Sequence, residues 1–184
     1  DMLEALCKHF PDPEEEEEEV NAIQIAVAGK PNVGKSSLVN RLLGEERVMV
    51  SDIAGTTRDA IDTRLTGPDG QDYILIDTAG IRRKRAIEYQ SLERFSIVRA
   101  LAAIDRCDVA LMVIDATKGV TEQDTKIAGY IDEKGKAAII VINKWDAIEK
   151  ETGTMNEYIK EIRKELKFME YAPIMFISAL TGQR

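Results

Sequence analysis

The run Gly29-Lys30-Pro31-Asn32-Val33-Gly34-Lys35-Ser36 places two glycines, a lysine and a hydroxyl at the spacing that lets a backbone wrap around a polyphosphate. It follows an apolar stretch and leads into a helical one, the context this Walker A pattern needs. Glycines let successive N–H groups and the helix N-terminus, from Gly29 through Val33 and Gly34 to Ser36 and Ser37, point at anionic oxygens. The Lys35 ammonium would reach the β- and γ-phosphates, and the Ser36 hydroxyl would bind Mg²⁺. Further on, Asp77-Thr78-Ala79-Gly80 closes another apolar run. There Asp77 would hold Mg²⁺ through a water, and the Gly80 N–H would meet the γ-phosphate, so that losing this phosphate releases the segment beyond. Between the two motifs lies Ala54-Gly55-Thr56-Thr57-Arg58-Asp59. Alone it reads equally as a polar loop; its position makes Thr57 a candidate to complete the Mg²⁺ shell while the γ-phosphate is present.

A second group of residues has the chemistry of a purine-base site. Asn143-Lys144-Trp145-Asp146 follows one apolar run and Ser178-Ala179-Leu180 follows the last. The Asp146 carboxylate would accept two hydrogen bonds from N1–H and the exocyclic amine of guanine, a donor pair that adenine lacks. Asn143 would bond to the base or tie this loop to the Walker A loop. The stem of Lys144 would cover the ring, and the Ala179 N–H would reach guanine O6. The motifs together imply GTP or GDP as ligand and disfavour ATP.

These motifs need a scaffold that ends its strands at one edge. Short apolar runs alternating with amphipathic stretches predict an α/β fold, a mostly parallel six-stranded sheet with one antiparallel edge strand and helices on both faces. Strands are expected near 22–28, 61–66, 72–77, 109–114, 137–142 and 174–177, and helices near 35–43, 87–103, 121–132 and 156–166. Gly67-Pro68-Asp69-Gly70 predicts a tight hairpin. The 184-residue length favours one domain, and the net charge of −8 argues against a broadly basic nucleic-acid surface. Two cysteines, Cys7 and Cys107, far apart, indicate neither a disulfide framework nor a zinc site and fit a cytoplasmic setting. No run is long enough to span a membrane, so no membrane partner is expected. Residues 2–10 have the spacing of a helix end, Pro11-Asp12-Pro13 breaks it, and the glutamates of 14–19 read as a solvated tether.

Over almost its whole length the chain resembles the translation-factor-related GTPases, and among them the second GTPase domain of the tandem-domain Der (EngA) family of ribosome-assembly GTPases. The resemblance rests on residues 29–36, 52–59, 77–84, 143–146 and 178–180. It implies a P-loop GTPase (Ras-like) fold. It further implies that residues 1–10 end a preceding domain's final helix, that 11–20 form an acidic linker, and that 21–184 form a GTPase domain lacking its closing C-terminal helix. An RNA-binding-like domain would follow. Partners would be the neighbouring domains and, through the full-length protein, the large ribosomal subunit or its RNA.

Many regulatory GTPases carry a glutamine directly after Asp-x-x-Gly to orient the attacking water; this chain has Ile81. Either hydrolysis is slow, or another group assists it. Relatives with an asparagine at the position of Asn32 bind K⁺ beside the β- and γ-phosphates, so the resemblance implies a K⁺-stimulated GTPase in which Lys35, Asn32, Thr57 and Gly80 act on the reacting phosphate. The alternative is a nucleotide-gated binding module with negligible hydrolysis on its own. Arg82-Arg83-Lys84-Arg85, basic in an acidic chain, is either a nucleotide-dependent docking patch or a solvated helix start. His9 has no expected catalytic part, and Trp145 is expected to pack within the base loop.

Overall fold

The computed structural model describes residues 22–44, 49–53, 62–78, 81 and 92–183. The expected tail and tether at 1–20, the threonines at 56–57, Gly80 and the basic cluster at 82–85 lie outside them. In chain order the elements are β1 (Ile23–Ala28), α1 (Lys35–Gly44), β2 (Met49–Ile53), β3 (Asp62–Thr66), β4 (Asp72–Leu75), α2 (Leu92–Arg106), β5 (Val109–Asp115), α3 (Glu122–Glu133), β6 (Ala137–Asn143), α4 (Thr154–Glu165) and β7 (Ile174–Phe176). Short 3₁₀ turns occupy Trp145–Ala147 and Lys167–Met169.

All strands join one seven-stranded sheet in the order β2-β3-β4-β1-β5-β6-β7. Pairings from β4 to β7 are parallel, and β3 runs antiparallel to both β2 and β4. The expected α/β class and hairpin hold. Gly70 supplies the left-handed turn at φ 80°, and Gly67 N–H closes it on Gln71 O at 2.8 Å. One strand more is present than expected, and the antiparallel strand lies one place inside the edge. Strand β2 gains its order from pairing with β3, Met49 opposite Thr66 and Ile53 opposite Asp62. Its Ser51 and Asp52 give little strand propensity of their own.

Alternation along the strands divides the core in two. Ala26, Ala28, Ala110, Met112, Ile114, Ala138, Ile140 and Ile142 face one way, onto Ala103 and Ile104 of α2, Ile127, Ala128 and Ile131 of α3 and Ile162 of α4. Val27, Val113 and Val141 face the other way, with Leu38 and Val39 of α1. The alanines let helices approach the sheet closely, while each fully buried isoleucine contributes about 1.5–3 kcal/mol. Among the described residues no helix is long and apolar enough to cross a membrane.

Candidate functional site

Strand β1 pairs with β4 on one side and β5 on the other, and the chain fills the sheet outward from it in both directions. The carboxyl end of such a strand opens onto a crevice between diverging loops, where α/β sheets bind ligands. Residues 29–34 occupy that place. Gly29 (φ 145°) and Gly34 (φ 99°) adopt conformations that side chains rarely accept, as does Asn32 (φ 65°). A Cβ on Gly29 would lie 2.5 Å from the Val113 carbonyl oxygen, so the loop runs flush against β5. The loop's curl turns Lys35 back into its centre, where Nζ donates to Gly29 O and Lys30 O at 2.6 Å each. Val33 is fully buried, whereas Asn32 and Ser37 are exposed. Helix α1 carries no acidic residue in its first turn, which leaves its positive end uncompensated and suited to an anion.

On the candidate metal side, Ser36 Oγ donates to Ile81 O at 2.7 Å, joining the phosphate loop to the segment after Asp-x-x-Gly. Asp77, with φ 56°, donates its N–H to Asp62 Oδ1 at 2.9 Å. Its carboxylate is gripped by Arg99 of α2, Nε to Oδ2 at 2.9 Å and Nη2 to Oδ1. Arg106, two turns further along α2, pairs with Asp62. A serine hydroxyl and one carboxylate are hard oxygen donors of the kind Mg²⁺ takes when phosphates and waters fill its remaining positions. Thr57 and Gly80 lie outside the described residues.

At the base side, Asn143 ends β6 and points back across the crevice. Its Nδ2 donates to Val33 O at 2.8 Å, and its Oδ1 accepts the Ala179 N–H at 2.9 Å. The expected tie between this loop and the Walker A loop is present. Gly34 makes room for it, because a Cβ there would sit 2.2 Å from Asn143 Nδ2. Lys144, at φ 63°, reaches Asp115 Oδ2 at 2.5 Å. Asp115 also accepts from Thr117 N and Oγ1 at 2.9 and 2.6 Å. Burial pushes the Asp115 carboxyl up, but the bonds from Lys144 and Thr117 outweigh it and leave it below the ordinary carboxylate value. Sequence reasoning missed Asp115; the signal was a carboxylate ending a strand at the same sheet edge as Asp77. Trp145 is buried, edge-on to Tyr158 at 5.1 Å and 4.5 Å from Phe176 between ring centres, as expected of a packing residue. Asp146 stands exposed on the turn it begins to shape. Ser178 is buried and its Oγ accepts Thr181 N–H at 3.1 Å, while Leu180 is exposed and its carbonyl, like that of Thr181, takes a bond from Arg41 of α1.

A further link was not foreseen. Lys30, in the phosphate loop, is buried and donates to Asp124 Oδ2 and Thr121 Oγ1 at 3.1 Å each. Asp124 caps α3 by accepting the Thr121 N–H at 3.0 Å.

Residues 24–144 match the family model described as 50S ribosome-binding GTPase. The chain belongs to this family. The candidate site of this GTPase domain lies in the loops at the carboxyl edge of the sheet on both sides of β1. Along its whole length the chain is 63% identical to GTPase Der of Alkaliphilus oremlandii (strain OhILAs) and 59% identical to GTPase Der of Acetivibrio thermocellus. It spans 41% of the length of each of these relatives. A crystal structure of Era in complex with MgGDPNP and nucleotides 1506–1542 of 16S ribosomal RNA aligns with TM-score 0.66 at 34% identity, over 89% of this chain and 53% of that one.

Proposed function

We propose that this domain binds GTP with Mg²⁺ and hydrolyses it to GDP and phosphate. The observation that carries the reading is the Asn143 bridge: one side chain holds the phosphate loop at Val33 and the base loop at Ala179, setting the two ends of a nucleotide site at a fixed separation. In the reaction a water attacks the γ-phosphorus, and the bond to the β–γ bridging oxygen breaks. Lys35 and the loop N–H groups hold the phosphate oxygens as charge shifts toward the β-phosphate. Mg²⁺, held by Ser36 and Thr57 and through water by Asp77, would supply positive charge to the same oxygens. Asp146 accepts from the guanine edge, and Lys144, steadied by Asp115, covers the ring.

Hydrolysis is further proposed to be K⁺-stimulated, with Asn32 as the side-chain ligand; its exposure at the apex of the loop in a left-handed conformation supports this. Ile81 supports the alternative of a nucleotide-gated module with little turnover of its own. Its side chain packs against the α1-side core and cannot orient a water. The full-length protein is proposed to act in the cytoplasm on the large ribosomal subunit, in keeping with the family's description. Residues 1–20 would then be the end of a preceding domain's helix and an acidic linker. Half-buried Ile25, Leu111 and Ile139, with Met175 46% exposed, are the described residues against which a further helix would pack.

Steady-state GTP hydrolysis in matched KCl and NaCl, beside Asn32→Ala, tests the reading. Faster turnover in KCl that is lost in the variant is expected. Equal slow rates in both salts, with GTP bound, would favour the gated module.

A further inference from the structure

Both described residues assigned to the metal are engaged by protein groups: Ser36 Oγ by Ile81 O, and both Asp77 oxygens by Arg99. The Asp77 side chain is only 13% exposed, whereas that of Arg99 is 36% exposed. A carboxylate so far removed from water needs a compensating charge. A guanidinium lying across both oxygens occupies the lone pairs that a hydrated cation would need. The backbone beneath is fixed separately, since Asp77 N–H bonds to Asp62, which Arg106 holds. Arg99 and Arg106 are seven residues apart on α2, so one helix face reaches both carboxylates.

We propose that Arg99 is a positioning residue for the metal site: it holds Asp77 in place without a cation and yields it when Mg²⁺ binds, so that Mg²⁺ affinity is set by competition with a guanidinium and α2 responds to the metal. This rests on the reading of Asp77 as a Mg²⁺ residue. Arg99 has solvent into which to swing, and Ser36 turns its oxygen from the Ile81 carbonyl toward the cation in the same event. The aspartate is thus never left buried without a counter-charge.

The test uses the full chain, stripped of nucleotide, with Mg²⁺ titrated against release of a fluorescent GDP and thermal unfolding recorded with and without Mg²⁺ and GDP. Arg99→Gln should lower the Mg²⁺ concentration that half-maximally slows GDP release by about five- to tenfold. It should melt earlier than the parent only in the metal-free state, with Arg99→Lys intermediate in both respects. Arg106→Gln, whose pair with Asp62 persists in either state, should lower both melting points alike. An equal melting loss in both states for Arg99→Gln and Arg99→Lys, with the Mg²⁺ requirement unmoved, would reduce Arg99 to an ordinary ion pair. Asp77→Asn separates the two layers. If it shifts the Mg²⁺ requirement and Arg99→Gln does not, the competition fails alone; if Asp77→Asn shifts nothing, the metal assignment fails with it.

Discussion

Asn32, Asp77 and Lys144 are the non-glycine residues with left-handed backbone among those described, and all three belong to the candidate site. Such conformations cost free energy and persist where surrounding bonds impose them. Lys144 shows how: its ammonium is tied to Asp115, and its loop to the residue following β7, through Trp145 N–H and Ile177 O at 3.1 Å. Asn143→Ala would leave Val33 O and Ala179 N–H buried without their partner, a loss of about 2–4 kcal/mol in urea unfolding, with weaker GTP binding in titration calorimetry. Gly34→Ala should be equally damaging, since the new methyl collides with the same amide. Because the Asp115 carboxyl is held below its ordinary value of 3.8, its bonds contribute stability above that pH, lost as pH falls through the folded value. Acid unfolding of Asp115→Asn should therefore show a shallower decline below about pH 4 than the parent.

At the scale of elements, the phosphate loop is held by three others: β5 beneath Gly29, β6 through Asn143, and α3 through Lys30 and Asp124. Asp124→Ala removes both the α3 cap and the partner of a buried ammonium, and should cost about 3–5 kcal/mol in denaturant unfolding, more than an exposed pair such as Lys126–Glu122 could. Sequence alone revealed the elements with strong local signals: the continuous apolar runs of β5 and β6, the glycine hairpin and the amphipathic α3 and α4. It also marked Lys35, Ser36, Asp77 and Asn143, because their motifs are contiguous and sit at strand ends. Strand β2 stayed hidden since its order comes from β3 across an intervening segment. Arg99 and the Lys30–Asp124 pair were illegible for the same reason, as each depends on residues that only the folded sheet brings together.

At the scale of the whole molecule, the described residues cover the two sheet faces unequally: α2, α3 and α4 pack on one, and on the other, where α1 packs, Ile25, Leu111 and Ile139 are half-buried. Extending the chain with a helix on that face should raise the melting temperature by several degrees in calorimetry, about 1–3 kcal/mol of added burial. The ligand proposed for the loop edge of this sheet is a guanine nucleotide. Competition of GTP, GDP and ATP for a fluorescent GDP, with Mg²⁺ and beside Lys35→Ala and Asp146→Ala, tests it most directly. GTP and GDP should displace the probe and ATP should not, Lys35→Ala should bind neither well, and Asp146→Ala should lose about a hundredfold in preference for guanine. Equal displacement by ATP and GTP in the parent chain, unaffected by Asp146→Ala, would contradict the account.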